Sequence, residues 1–425
     1  MTPKRILLAA LLALALPATA AVIGTMTPAQ PVTATRFAAL PSSEQAAWRD
    51  YLARSQAAMA ADKAALAAER DGGPGPVSAA PHLKGESGMP LDRPAAWYAS
   101  AEAKAVADNI VSFQTPAGGW GKNVDRRGPP RRRGEHYAPV DDDPSGGVVS
   151  RADGWSYVGT IDNDATITEL RFLARVQAAR PGAEGNVYRA AASKGIGYLL
   201  QAQYPNGGYP QVYPLQGGYH DAITFNDDAL AQVVGLLGDV AGRRGDFAFV
   251  PEDVAARAAT AQARAVDVIL ATQVRVGGER TGWCQQHDAL TLAPVGARNF
   301  EPVALSTAES ARLLMLLMAL PQPRPEIVTA IREGIAWLQR TAVHDVEWRR
   351  EGERGRLLVA RPGAGPLWPR LVDPATMRPV FGDRDRTIHT DVNELSRERR
   401  DGYAWYGTGP AAALARYRDW AARRQ

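Results

Sequence analysis

The amino-acid sequence predicts a mainly α-helical protein, an (α/α) toroid-like array of helical hairpins with long functional loops and little β structure. Three observations lead there. Apolar residues recur at helical spacing in separate segments: Leu230, Val233, Val234 and Leu237, then Leu313, Leu316, Leu317 and Leu320, with Ile167, Leu170, Leu173 and Ala174 on a similar face. After Pro90 a pattern repeats in which an alanine-rich helical segment ends at a glutamine, a glycine-rich loop follows, and a second apolar helix begins behind an acidic residue. The glutamines are Gln114, Gln203, Gln273 and Gln339, 89, 70 and 66 residues apart, which leaves room for a hairpin with an elaborated loop each time. Strict alternation with β-branched residues is scarce, so strands should be few.

From the N-terminus, Met1 to Ala21 has the form of a secretory signal. Lys4 and Arg5 precede an apolar run from Ile6 to Leu16, and small residues follow at Pro17 to Ala20. The run falls short of the roughly 20 residues that span a bilayer, and no later stretch qualifies, so the chain is read as secreted or periplasmic with no membrane span. Residues 22–90 form an N-terminal helical extension, anchored by Trp48, Tyr51 and Leu52 and ended by the Gly/Pro-rich stretch Asp71 to Pro90. Residues 91–425 form the catalytic domain. In the repeats, the first turns of the second helices carry Asp164, Asp228 and Glu309, which would gather at one end of the barrel. Acids at these places also satisfy helix N-termini, whatever else they do.

Composition narrows the function. The net charge is +4, and losing Lys4 and Arg5 with the leader leaves +2, too little for a dedicated nucleic-acid binder. A single cysteine, Cys284, excludes an intrachain disulfide and a cysteine-based zinc site, and is read as a buried free thiol. The chain is expected to act as a monomer.

Several loops carry candidate chemistry. Asp162-Asn163-Asp164 and Asn226-Asp227-Asp228 each offer two carboxylates and an amide, oxygen donors of the kind Ca²⁺ selects. Their spacing is not that of an EF-hand, so a calcium site must be assembled from separate segments. Gly118-Gly119-Trp120-Gly121-Lys122 and Tyr204 to Gln211 set aromatic rings in tight turns, where Trp120 and Tyr209 would either face a sugar or pack the helix connections. Lys122 is less readily explained by packing. Cys284 and His287 lie three residues apart in one loop, which is no sign of a nucleophile and its base, and His287 with Asp288 reads as a local pair holding that loop. Arg298, Arg370 and Arg384 recur in loops, and planar guanidinium forks around a cleft suit a repeating uronate polymer. The run from Arg126 to Arg133 reads as a solvated loop.

Taken together, Phe113 to Trp120, Thr160 to Asn163, Ile223 to Asp228, Trp283 to Asp288 and Asp401 to Gly407 resemble the pectate lyases of polysaccharide lyase family ten. The resemblance runs from about Trp97 to Gly407. It implies a secreted, mostly helical toroid that cleaves polygalacturonate by calcium-dependent β-elimination to unsaturated oligogalacturonides. It further implies that Asp162 and Asp227 bind calcium or bridge it to substrate, with Asp164 and Asp228 beside them. Arg298 would be the catalytic base, with Lys122 as a second candidate, and Arg370 and Arg384 would hold substrate carboxylates. Nearby Ca²⁺, Arg370 and Arg384 would lower Arg298 by like-charge repulsion. The segment between Asn123 and Thr160, with Asp141-Asp142-Asp143, is longer than expected for that family. Rival readings are a glycoside hydrolase on a similar toroid using Asp162, Asp228 or Glu309, a non-catalytic uronate-polymer binder, and a terpenoid cyclase, which the modest aromatic content disfavours.

Overall fold

In the computed structural model, residues 22–71, 87–139 and 155–424 are described, and helix outweighs strand, 49% against 12%. The leader, most of the Gly/Pro-rich stretch and the Asp141–Asp143 triplet lie outside the described residues. The α-helices are α1 (Ala34–Phe37), α2 (Ser42–Glu69), α3 (Ala101–Ser112), α4 (Ile167–Ala179), α5 (Ala183–Ala202), α6 (Ala229–Ala241), α7 (Glu252–Thr272), α8 (Thr307–Ala319), α9 (Pro325–Thr341), α10 (Arg397–Gly402) and α11 (Pro410–Ala422). No described helix is long and apolar enough to cross a membrane.

The helices pack in two rows. Helices α4, α6, α8 and α11 form one and α3, α5, α7 and α9 the other, with α4 on α5, α6 on α7 and α8 on α9 between rows. Helix α6 shows why its row is the inner one: Leu230, Val233, Val234, Leu236, Leu237 and Val240 are buried, and no position along it is exposed. The two tightest helix pairs, α6 on α7 and α4 on α5, are consecutive in the chain, and only residues 180–182 join α4 to α5, a link so short that it forces antiparallel neighbours. The long loops instead bridge from an outer helix to the next inner one.

Each long loop is clamped where it leaves its outer helix. A helix end leaves carbonyls without intrahelical partners, and burial makes those gaps costly. Trp120 donates its indole N–H to the Ile110 carbonyl near the end of α3, Trp283 to Ile269 of α7 and Trp368 to Leu338 of α9, each at 2.7 Å. The repeated glutamines add a second tie. The side-chain amide of Gln114 donates to Gly118 in its own loop and to Ala191 on α5; Gln203 does the same with Gly207 and Ala261, and Gln273 with Thr281 and Ala330. One side-chain amide thus fixes a loop and the neighbouring outer helix together. Gln339 is not equivalent, since it sits inside α9 rather than at its end.

The N-terminal segment is packed into the body. Its first strand, Val22–Thr25, pairs with Thr387–His389, and on α2 the rings of Trp48 and Tyr51 meet Tyr204 at 5.1 and 4.9 Å. The Tyr51 hydroxyl donates to the Ala202 carbonyl at 2.9 Å, closing the end of α5 as the tryptophans close the other outer helices. The arginine run is only in part the solvated loop expected. Arg126 is fully buried and forks onto Glu169, and Arg131 pairs with Glu69 of α2 while stacking on Tyr137, whereas Arg127, Arg132 and Arg133 face solvent. The carboxylates on neighbouring helices draw these two guanidinium groups inward. Cys284 is buried, which pushes its thiol up, and His287 and Asp288 hold their loop separately rather than as a pair. The His287 ring accepts from the Cys284 N–H and meets the Leu292 carbonyl, whereas Asp288 accepts from two backbone amides and from Arg36.

Asp62 of α2 is buried, accepts from the Ala117 N–H at 2.7 Å through one oxygen, and finds no partner for the other among the described residues. Burial pushes it up from 3.8 to about 6. An acid raised by folding binds its proton more tightly when folded, so stability is greatest below the unfolded value and declines as pH climbs through about 6. Roughly two pH units correspond to on the order of 3 kcal/mol. Asp62→Asn should therefore flatten the fall in Tm between about pH 4 and pH 6, measured by thermal denaturation across that range.

Candidate active site

Short antiparallel ladders stitch the long loops into one floor. Ile223–Thr224 pairs with Gln286–His287, Trp283–Cys284 pairs with Leu305–Ser306, and Leu305–Ser306 pairs in turn with Leu371–Val372. Arg370 lies between that last strand and Trp368–Pro369, held by its N–H to Trp405 O and by its carbonyl to Thr307 N. The Thr160–Val212 and Pro210–Ile223 bridges join the Asp162 turn to these ladders, so segments distant in sequence, among them the first turn of α8, present Asp162, Asp227, Glu309 and Arg370 together.

The two acidic turns are built alike. In Asp162–Asp164 and Asn226–Asp228 the second and third residues have positive φ, 51° and 62° in the first turn and 50° and 62° in the second. Such strain in non-glycine residues needs a surrounding structure that enforces it. The turns touch one another, but aligning them by backbone sets Asp162 against Asn226, so the carboxylates are not related position by position. Asp162 is buried, and its carboxylate takes Lys122 Nζ on one oxygen and the Gln211 amide on the other, both at 2.9 Å. Burial acts to raise it, yet Lys122 holds it below the usual carboxylate range. The Lys122 ammonium also lies 3.4 Å from the centre of the Tyr157 ring. Asp227 is different: its side chain is 41% exposed, and its nearest cation, Arg370, is 3.7 Å away. Partial burial, the Asp162 carboxylate and Glu309 push it up to about 6.

The arginines gather around two rings. Arg298, Arg384 and Arg399 lie 4.7, 5.0 and 4.2 Å from the centre of Phe300, and Arg370 lies 4.6 Å from that of Tyr403. Each is backed by a carboxylate. Arg370 donates to Glu309 at 2.7 Å, Arg384 and Arg399 both donate to Glu398, and Arg298 donates through Nε and Nη2 to the two oxygens of Glu301 at 2.8 and 2.5 Å. Burial acts to lower Arg298, but Glu301 outweighs it and raises the guanidinium well above its ordinary value. The expected depression of Arg298 by Arg370 and Arg384 is thus overturned by a carboxylate three residues away.

Three other expectations give way. Trp120 and Tyr209 are both 0% exposed, so neither ring can meet a sugar; Trp120 is a helix clamp, and Tyr209 fills the matching place in the next loop. Asp164 is engaged by Gln232 and Asp228 by Arg312, and burial raises both, Asp228 to about 7. Among the described residues no three acidic, histidine or cysteine groups converge as a metal cage, so a site of four carboxylates is not formed. Glu301, Glu309, Arg399 and Tyr403 were not singled out for these contacts by sequence reasoning. The spacings Arg298-x-x-Glu301 and Ser306-x-x-Glu309 were the available signals, since residues three apart meet across one turn.

The comparisons fall on the same region. A family model described as pectic acid lyase matches residues 114–414. The chain belongs to the pectic acid lyase family. A family 10 polysaccharide lyase from Cellvibrio cellulosa is 32% identical and superposes with a TM-score of 0.66, covering 80% of this chain and 99% of that one. A mutant family 10 polysaccharide lyase from the same organism, in complex with trigalacturonic acid, is 32% identical and superposes with a TM-score of 0.65 over 79% of this chain and 99% of its own. No curated protein matches. This pectic acid lyase family member is a polysaccharide lyase, built on the toroid that the helical repeat predicts.

The clamp assignment of Trp120 is checked by Trp120→Phe. Loss of the indole hydrogen bond should lower stability by about 1 kcal/mol, seen in urea denaturation, while KM for the polymer stays unchanged; a ring that stacked on sugar would raise KM instead.

Proposed function

We propose that this lyase cleaves polygalacturonate, an α-1,4-linked galacturonan, by calcium-dependent anti β-elimination to give 4,5-unsaturated oligogalacturonides. The observation that carries the reading is the charge pattern of the groove. Lys122, Arg298, Arg370, Arg384 and Arg399 have their carboxylate partners in Asp162, Glu301, Glu309 and Glu398, and Asp227 is left as the weakly paired acid. Such a groove is rich in forked donors for uronate carboxylates but has little spare positive charge with which to hold a polyanion. An added divalent cation supplies it, and the raised Asp227 beside Asp162 is where the field favours one. The residues therefore fit calcium as a pair, Asp162 and Asp227, with further oxygens left to substrate and water. Bound there, calcium would neutralise a uronate carboxylate and so acidify the hydrogen on C5.

The chain's own residues do the remaining work. Arg370 and Arg384, stacked on Tyr403 and Phe300, orient uronate carboxylates, and Lys122 keeps Asp162 ionised. Arg298 stands at the groove with 30% of its side chain exposed and takes the C5 proton in its neutral form. The C–H electrons become the C4–C5 double bond as the C4–O bond breaks, so no hydrolytic water and no glycosidase-type acid pair are needed. Lys122 is the weaker candidate for base, since both Asp162 and the Tyr157 ring stabilise its ammonium. Glu301 keeps the neutral form of Arg298 scarce near pH 7, so turnover should climb with pH. Export, read from the first 21 residues, suits a polymer too large to enter a cell.

Purified protein incubated with polygalacturonate and calcium should generate the ultraviolet absorbance of a conjugated alkene, lose it in EDTA and regain it on calcium readdition. New reducing ends without absorbance would mean hydrolysis through Asp162, Asp228 or Glu309, and binding without shortening would mean a lectin-like role. Arg298→Ala should lower kcat by about 10²–10⁴-fold, the range for a general base.

A further inference from the structure

We propose that Glu301 is the positioning residue of this site, holding the Arg298 guanidinium so that only its Nη1 edge is turned to the substrate. The inference deepens the reading of Arg298 as proton acceptor and rests on it.

The geometry is a closed set of hydrogen bonds around one buried carboxylate. Glu301 is 3% exposed. Its Oε2 accepts from Arg298 Nε at 2.8 Å and from the Arg298 backbone N–H at 3.2 Å, and its Oε1 accepts from Arg298 Nη2 at 2.5 Å and from the Tyr403 hydroxyl at 2.8 Å. Pairing along the Nε–Nη2 edge is bidentate, so the guanidinium plane cannot rotate without breaking two charge-assisted bonds at once. Phe300 lies against that plane and blocks the remaining tilt. The turn that sets this distance is itself closed, with Ala297 N donating to Glu301 O and Glu301 N donating to Arg298 O. It is also pressed against the rest of the site: a Cβ at Gly382 would sit 2.4 Å from the Phe300 carbonyl oxygen, so nothing larger than glycine lets the turn lie there. Of the three guanidinium nitrogens, Nη1 alone has no hydrogen-bond partner among the described residues, on a side chain that is 30% exposed.

Glu301 also couples Arg298 to the neighbouring subsite. The Tyr403 hydroxyl that bonds Glu301 belongs to the ring over which Arg370 lies, so one tyrosine spaces the two arginines. The ionisable groups facing Arg298 are Glu301 on its own turn, Tyr403, Tyr219, Arg399, Asp162 and Asp227. Glu301 is the one in contact and the strongest of those that hold the guanidinium protonated, and it is itself held down to about 2, chiefly by Arg298 against the effect of burial. A buried ion pair of this kind is a poor source of stability, because desolvation offsets much of the attraction. Orientation is what it secures.

Two substitutions separate the contributions of charge and reach. Glu301→Gln keeps an acceptor near Arg298 but removes the charge, and should move the rising limb of kcat against pH downward by one unit or more, with KM changed less than about threefold. Glu301→Asp keeps the charge but withdraws it by one methylene, and should leave the limb in place while lowering kcat at least tenfold. Thermal melts confirm that each variant is folded; should Glu301→Gln not fold, the fall in kcat of Glu301→Asp alone decides the matter. Wild-type kcat in Glu301→Asp, or an unmoved limb in Glu301→Gln, overturns the proposal. Arg298→Ala assayed in parallel keeps the two readings apart: if it is inactive while the Glu301 variants behave as wild type, only the role of Glu301 fails, and if it is active the base assignment itself fails.

Discussion

The constraint on which this fold depends is the need to satisfy the carbonyl groups left open at the ends of the outer helices. A toroid of hairpins buries those ends under long loops, where water cannot serve them. The protein meets the need with side chains from the loops, the indoles of Trp120, Trp283 and Trp368, and with the hydroxyl of Tyr51 on α2. Gln114, Gln203 and Gln273 then tie each loop to the next outer helix. Because the clamps repeat at the same helix end, the long loops leave the scaffold on the same side. The groove is a consequence of that arrangement.

Within the groove the governing quantity is charge balance at close range. Five cations sit beside aromatic faces and carboxylates, so each is held in a definite orientation while much of its charge is answered. An isolated cluster of arginines would repel itself apart, and Glu301, Glu309 and Glu398 make the cluster tolerable. The same neutralisation leaves Asp227 with the least compensation. That asymmetry, more than any count of acidic residues, distinguishes the part of the floor suited to a cation from the acids that merely begin helices. Asp164 and Asp228, engaged by Gln232 and Arg312, belong to the second kind.

Much of this was legible in the chain before folding, and the exceptions share a cause. The inner helices declared themselves by apolar spacing, and α6 is buried along nearly its whole length as Leu230, Val233, Val234 and Leu237 require. The helix ends at Gln203 and Gln273 were equally plain, but Gln339 copied the pattern from inside α9, where composition alone could not tell an end from a middle. Trp120 and Tyr209 looked like exposed rings because glycine-rich turns usually face solvent; here the turns fold back onto helix ends and carry the rings inside. Arg126 and Arg131 lay in a run that composition assigns to solvent, and only the approach of Glu169 and Glu69 draws them in.

What the sequence determined by itself is whatever depends on near neighbours along the chain: helical periodicity, the acidic turns, and the motifs whose joint presence marks the family. What tertiary structure decided is which charges meet. The partnership of Arg370 with Glu309 spans 61 residues, that of Arg126 with Glu169 spans 43, and that of Asp62 with Ala117 spans 55. Electrostatic energy falls with distance in space and takes no account of distance in sequence. The orientation of an arginine, the ionisation of an aspartate and the burial of a tryptophan are therefore properties of the folded loops.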